Sequence, residues 1–196
     1  PYTARRIMRL NPDNDSLSSV GDDLGEVECK YSGTVVGKDD FVYGIPKDAT
    51  RIIKFDPTNP DTTSTVGEVQ VEEDWFSCGN GVLAGDGYIY AANYSGQVLQ
   101  IDTTHGDYTW IGDPSYSQEY SGRRVGWGDP IIGADKCIYW PPSSANRVLK
   151  FDPETQQLPS LVGSDLGRGG YNTLWHGDMN LWHGGALATD GVIYCI

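Results

Sequence analysis

Three features of the sequence predict an all-β fold, a β-propeller of four-stranded antiparallel blades. A strand–turn–strand–loop–strand unit, clearest from Gly81 to Asp102, recurs whole or in part at a period of about 45–55 residues. Glycine (25) and proline (11) are frequent, as many short strands joined by turns require. Aligned columns run through the repeats: Tyr43, Tyr90, Tyr139 and Tyr194 in strand two, and Leu10-Asn11, Phe55-Asp56, Ile101-Asp102 and Phe151-Asp152 closing strand three. One such sheet cannot bury both its faces, so neighbouring units must stack radially.

Residues 1–25 read as a half blade. Its first strand alternates Ile7, Arg9 and Asn11 against Met8 and Leu10, Asp13-Asn14-Asp15 is the turn, and Ser16–Gly21 is a second short strand ending at glycine. Residues 26–73 hold the first whole unit, with strands at Gly33–Gly37, Phe41–Pro46, Arg51–Pro57 and Ser64–Gly67. Residues 74–124 repeat it, and Gly85-Asp86-Gly87 between alternating apolar residues is a hairpin signal. Residues 125–170 repeat it again, through Pro130–Gly133, Cys137–Tyr139, Arg147–Pro153 and Leu158–Gly163. Residues 171–196 supply only strands one and two, Gly185–Ala188 and Val192–Tyr194. The aspartate ending strand three starts a turn with its own side chain as acceptor, a structural role. Glycine-rich first strands suit a crowded central channel.

Residues 1–196 are expected to form one propeller domain. The two half blades complement each other, so a ring of four blades closes if they pair; otherwise the chain is a section of a larger propeller. Pro1 in place of a methionine, and Ile196 inside an apolar strand, fit processing, a longer parent chain or closure within one sheet.

The formal net charge of −13 argues against nucleic acid or an anionic lipid surface as partner. No run of eighteen apolar residues spans a membrane. Cys29, Cys78, Cys137 and Cys195 show neither C-x-x-C nor histidine at zinc spacing, so free thiols are expected, with a Cys29–Cys78 bridge between neighbouring blades left open. No metal or cofactor motif is read.

The run Trp182-His-Gly-Gly-Ala-Leu-Ala-Thr-Asp-Gly-Val-Ile-Tyr194, with Asn146–Pro153, resembles propeller repeats of diatom and related algal proteins. It is similar, more loosely, to kelch repeats and to the streptogramin-lyase type of seven-bladed propeller. At the start of a first strand the kelch double glycine occurs only at Gly184-Gly185, and the histidine–glutamate pair implied by the lyase resemblance has no matching constellation.

By fold-level analogy, ligands sit where first strands enter the channel mouth. The entering segments are Lys30-Tyr31-Ser32, Cys78-Gly79-Asn80, Trp127-Gly128-Asp129 and Trp182-His183-Gly184. Tyr31, Asn80, Trp127, Asp129, Trp182 and His183 are therefore binding candidates, with the near-duplicate Trp175-His176-Gly177-Asp178 adding Trp175, His176 and Asp178. Two histidines and an aspartate can bind a metal or move a proton, but the spacing matches no ligand motif. The competing reading packs the indoles between blades and ties the imidazoles to backbone. Together these readings favour a non-enzymatic binding or scaffolding propeller with protein partners. The alternatives are a hydrolase or lyase at the channel mouth, using His176, His183, Asp129 or Asp178, and a carbohydrate-binding propeller that stacks sugars on Trp and Tyr.

Overall fold

The computed structural model describes residues 2–68, 78–113, 126–166 and 182–196. Among them every regular element is a strand. A two-stranded sheet of β1 (Ile7–Asn11) and β2 (Ser16–Val20) comes first. Blade one is β3 (Tyr31–Val36), β4 (Val42–Pro46), β5 (Ile52–Phe55) and β6 (Thr63–Val66). Blade two is β7 (Cys78–Leu83), β8 (Tyr88–Asn93), β9 (Val98–Asp102) and β10 (Asp107–Ile111). Blade three is β11 (Ile131–Ile132), β12 (Ile138–Trp140), β13 (Val148–Phe151) and β14 (Ser160–Val162). A second two-stranded sheet, β15 (Gly185–Leu187) and β16 (Ile193–Cys195), follows. Each blade is an antiparallel meander in chain order. The two half sheets do not pair with each other, so the described residues form an open section of a propeller rather than a closed four-bladed ring.

The tyrosine column locks the first hairpin of every unit. Tyr43, Tyr90, Tyr139 and Tyr194 each donate a hydroxyl hydrogen bond to the aspartate four residues earlier, at 2.7–2.9 Å. The other oxygen of that aspartate accepts the amide two residues on, as Asp86 does from Tyr88 (3.1 Å). The turn residue after the aspartate is left-handed in all four hairpins: Asp40, Gly87, Lys136 and Gly191 have φ of 65°, 92°, 64° and 81°. A cross-strand partner completes the lock. Lys54 lies opposite Tyr43 and reaches Asp39 at 2.6 Å, and Lys150 lies opposite Tyr139 and reaches Asp135 at 3.0 Å. Burial works against the Asp135 charge, but hydrogen bonds from Tyr139, Lys150 and Cys137 hold its pKa down at about 2. In blade two the partner is the buried Gln100, which donates to the Tyr90 hydroxyl at 2.9 Å. A neutral amide replaces the charge where burial is deepest, because an ammonium there would lose its hydration.

The third-strand tails behave as the sequence predicts. Asn11, Asp56, Asp102 and Asp152 each accept the amide two residues on, at 2.7–3.0 Å. The core lies between blades. Tyr43, Ile45 and Ile52 of blade one pack on Ile89, Ala91, Leu99 and Ile101 of blade two. Tyr90, Ala92 and Val98 of blade two pack on Ile138, Trp140, Leu149 and Phe151 of blade three. Each such fully buried aliphatic side chain contributes roughly 1.5–3 kcal/mol. Ile7 and Val20 cover Tyr31, Ile53 and Phe55, while Met8, Leu10 and Leu17 on the far face of the first half sheet are exposed. All four cysteines are free thiols; Cys78 and Cys137 are buried, Cys29 and Cys195 half-buried, and no Cys29–Cys78 bridge forms.

Candidate functional site

The register of the first hairpin aligns the strand entrances. Val35 pairs with Tyr43, Val82 with Tyr90, Ile131 with Tyr139 and Ala186 with Tyr194. Counting back from these pairs gives Tyr31-Ser32-Gly33, Cys78-Gly79-Asn80, Trp127-Gly128-Asp129 and Trp182-His183-Gly184. The sequence reading of blade one, Lys30-Tyr31-Ser32, is therefore one residue early, because it matches Gly33 with Gly81, whereas the register matches Gly33 with Asn80.

The first column of these triplets packs toward the preceding sheet. The Tyr31 ring lies with Ile53 and Phe55 of its own blade in a cluster that Ile7 and Val20 of the preceding half sheet pack against, and burial pushes its hydroxyl pKa up to about 12. Trp127 packs with Ala92 and Val98, and its indole N–H donates to the Arg147 carbonyl at 3.0 Å. Cys78 is fully buried, which raises its thiol pKa well above the usual value and keeps it a neutral thiol rather than a nucleophile. Where the other units carry Tyr31, Trp127 and Trp182, this small side chain leaves room beside it.

The second and third columns link one blade to the next. The Ser32 hydroxyl donates to the Gly79 carbonyl at 2.9 Å. Asn80 Nδ2 donates to Asp129 Oδ1 at 2.6 Å. The Asp129 amide donates to the His183 carbonyl at 2.9 Å. The last link brings two backbones so close that a Cβ on Gly128 would lie 2.6 Å from the His183 carbonyl oxygen.

The loops after strand two rise over these entrances. The amides of Lys47 and Ala49 both donate to the Lys30 carbonyl, at 2.9 and 3.2 Å. Two blades on, the amides of Ser143, Ser144 and Ala145 donate to the Gly126 carbonyl at 3.0–3.2 Å. In blade two Asn93 Oδ1 closes the loop, accepting from the amides of Ser95 (3.0 Å) and Gln97 (2.9 Å). Loops and entrances together enclose a cleft of about 280 Å³ that spans three blades and reaches His183.

Asn80, Trp127, Asp129 and His183 thus share one cleft. Tyr31 does not line it, although its neighbour Ser32 does, and Trp182 lies outside the lining. Trp175, His176 and Asp178 fall outside the described residues. Sequence reasoning missed Tyr2, Lys47, Tyr94, Ser143 and Ser144. The signal for three of them was positional: Lys47, Tyr94 and Ser143 each follow the end of strand two. Lys47 Nζ sits 5.3 Å over the Tyr2 ring and 3.4 Å from its hydroxyl. Burial works against its charge, yet Tyr94, Tyr2 and Cys29 hold its pKa above the ordinary lysine value. The cleft therefore sets an ammonium between phenols on one side and an amide–carboxylate pair on another, with serine hydroxyls between. This arrangement can orient a polar molecule by hydrogen bonds and one charge. His183 is exposed, and among the described residues no carboxylate bonds its ring.

No family model matches the chain, and no curated protein matches it. Solved structures do. Selenomethionine-substituted virginiamycin B lyase from Staphylococcus aureus aligns over 100% of this chain and 57% of its own, with a TM-score of 0.67 at 13% identity. A streptogramin B lyase structure aligns over 99% of this chain and 56% of its own, at TM-score 0.65 and 13% identity. The extracellular domain of a provisionally assigned one-component system from B. thetaiotaomicron covers 97% of this chain and 24% of its own, at TM-score 0.66 and 9% identity. At this level of identity the likeness establishes the fold, a β-propeller. The chain spans a little over half the length of the lyases it resembles.

Proposed function

We infer that residues 1–196 belong to a single propeller domain that acts as a non-enzymatic binding module, with the cleft at the strand entrances as its recognition surface. The observation that carries this reading is the convergence of Lys47, Asn80, Asp129 and Ser144, drawn from three blades, on one small polar cleft. Among the described residues none of them is coupled to an activated nucleophile. The Ser32 hydroxyl is turned onto the Gly79 carbonyl, the Ser144 hydroxyl accepts the Gly126 amide at 2.7 Å, and the Cys78 thiol is held neutral. Propellers place ligands at this end of the channel across many unrelated activities, so the site and not the fold must carry the argument. A protein partner would engage the same mouth through the loops that form its walls.

A hydrolase or lyase is the second reading, favoured by His183 and Asp129 lining one cleft. One experiment separates the two. The purified protein is titrated with a library of polar small molecules while backbone amide resonances are followed by NMR. Binding moves the resonances of Asn80, Tyr94, Gly128 and Asp129 together, and the ligand stays chemically unchanged over hours. Conversion of a bound ligand, abolished by His183→Ala, replaces the binding reading with the enzyme. Shifts confined to residues away from the cleft remove both.

A further inference from the structure

Three properties of the cleft define the chemistry of its occupant, and they rest on the cleft being the binding surface. The first is Lys47. Among the described residues it has no carboxylate partner, and its polar contact is the long one to the Tyr2 hydroxyl. Elsewhere the strand lysines Lys54 and Lys150 are matched to aspartates. A half-buried ammonium in a chain of net charge −13, left unmatched, is suited to an anionic group on a ligand. One lysine without an arginine fork favours a single carboxylate over a phosphate cluster.

The second property is the opposite wall. Asp129 has one oxygen committed to Asn80 Nδ2, and among the described residues none donates to the other, which can accept from a ligand; Ser143 and Ser144 line the same wall, the Ser144 hydroxyl already accepting from the Gly126 amide. These groups suit a row of hydroxyls. The third is the pair Tyr2 and Tyr94, both in the lining, with Lys47 over one face of the Tyr2 ring; aromatic surface beside an ammonium suits the C–H face of a pyranose that carries an anionic group. At about 280 Å³ the cleft lies just below the roughly 300–1,000 Å³ range of drug-sized pockets, so it accepts one sugar ring and not a long oligosaccharide. The strong negative charge of the chain acts in the same direction, repelling a polyanion while tolerating a single negative unit.

We propose that the cleft binds a uronate, a monosaccharide unit whose carboxylate meets Lys47, whose ring lies against Tyr2 and Tyr94, and whose hydroxyls meet Asp129 and its neighbours. A zwitterionic amino acid is the rival occupant, with its ammonium on Asp129.

The test uses the purified protein, isothermal titration and amide NMR, with glucuronate, galacturonate, their methyl esters, glucose, galactose and serine as probes. A uronate is expected to bind at least about tenfold more tightly than its methyl ester and than the neutral sugar, since the ester keeps the shape and loses the charge. Lys47→Gln removes that preference, Lys47→Arg retains it, and Asp129→Asn weakens every sugar. Dispersed amide spectra identify which variants are folded. Equal binding of uronate and neutral sugar, an unaltered preference in Lys47→Gln, or tighter binding of serine each overturns the uronate assignment. If those probes still move Asn80, Gly128 and Asp129, the binding reading stands without it. If no probe moves them, the uronate assignment fails, and the library titration decides the broader reading separately.

Discussion

At the scale of single residues, the Tyr90 hydroxyl is held by three side-chain hydrogen bonds. It donates to Asp86 at 2.7 Å and accepts from Gln100 at 2.9 Å and from Gln156, one blade away, at 3.1 Å. Its ring is wholly buried and tilts against Phe151 at 5.2 Å between centroids. Burial pushes its pKa well above that of free tyrosine, with the Asp86 carboxylate adding to the effect. Tyr90→Phe keeps the ring and deletes the shared oxygen, which takes the nearer acceptor from the buried Gln100 amide, one of two acceptors from the Gln156 amide, and the donor from Asp86. A loss of about 1–3 kcal/mol in denaturant unfolding is expected. The same change at Tyr194, whose hydroxyl makes the equivalent bond on an exposed ring, leaves the midpoint unmoved. Equal effects at the two positions would show that the lock acts within the hairpin alone and not across the blade seam.

At the scale of elements, adjacent first strands approach closely enough that side-chain size is restricted at the mouth. Gly128→Ala puts a methyl 2.6 Å from a backbone oxygen, which cannot swing aside as the end of a flexible side chain would, whereas at Gly79 the nearest atom to such a methyl is 3.5 Å away. Gly128→Ala is expected to cost about 1–3 kcal/mol and to speed hydrogen exchange at the Asp129 amide, while Gly79→Ala is nearly neutral. Measuring both in one denaturation series checks the seam directly. This close approach was not legible in the sequence, where Gly79 and Gly128 occupy the same column and read alike. The blades themselves were legible, because Tyr43, Tyr90 and Tyr139 recur at a fixed offset from a turn aspartate. The partnership of that aspartate with the tyrosine lay in the same spacing, yet it read only as turn chemistry. Asn80, Asp129 and His183 could be placed at the mouth because strand entrances follow the repeat. Lys47 and Tyr94 could not, because the loops that carry them share position but not residue type. Tyr2 reaches the cleft only through long-range folding: its carbonyl takes the Lys30 amide at 3.0 Å.

At the scale of the molecule, the section is layered from well-covered blades at its middle to half sheets at its margins. Blade two is flanked on both faces by other blades, while Leu187, Val192 and Tyr194 of the last hairpin and Met8, Leu10 and Leu17 of the first sheet remain exposed. Amide exchange is therefore expected to be slowest in β8 and fastest in β1 and β16, read by mass spectrometry or NMR. Protection at β16 as strong as at β8 would mean that the two half sheets pair in solution. The hairpin lock has a further consequence, for the order of events during synthesis. The tyrosine–aspartate and turn bonds of one lock lie within a short stretch such as Ala84–Tyr90, so the hairpin can close as soon as that stretch leaves the ribosome, before its cross-strand partner Gln100 arrives. The bond from Gln156 to Tyr90 must wait for the following unit. Each newly made repeat thus meets a preformed edge and face, and the propeller grows in the direction of translation, one template at a time.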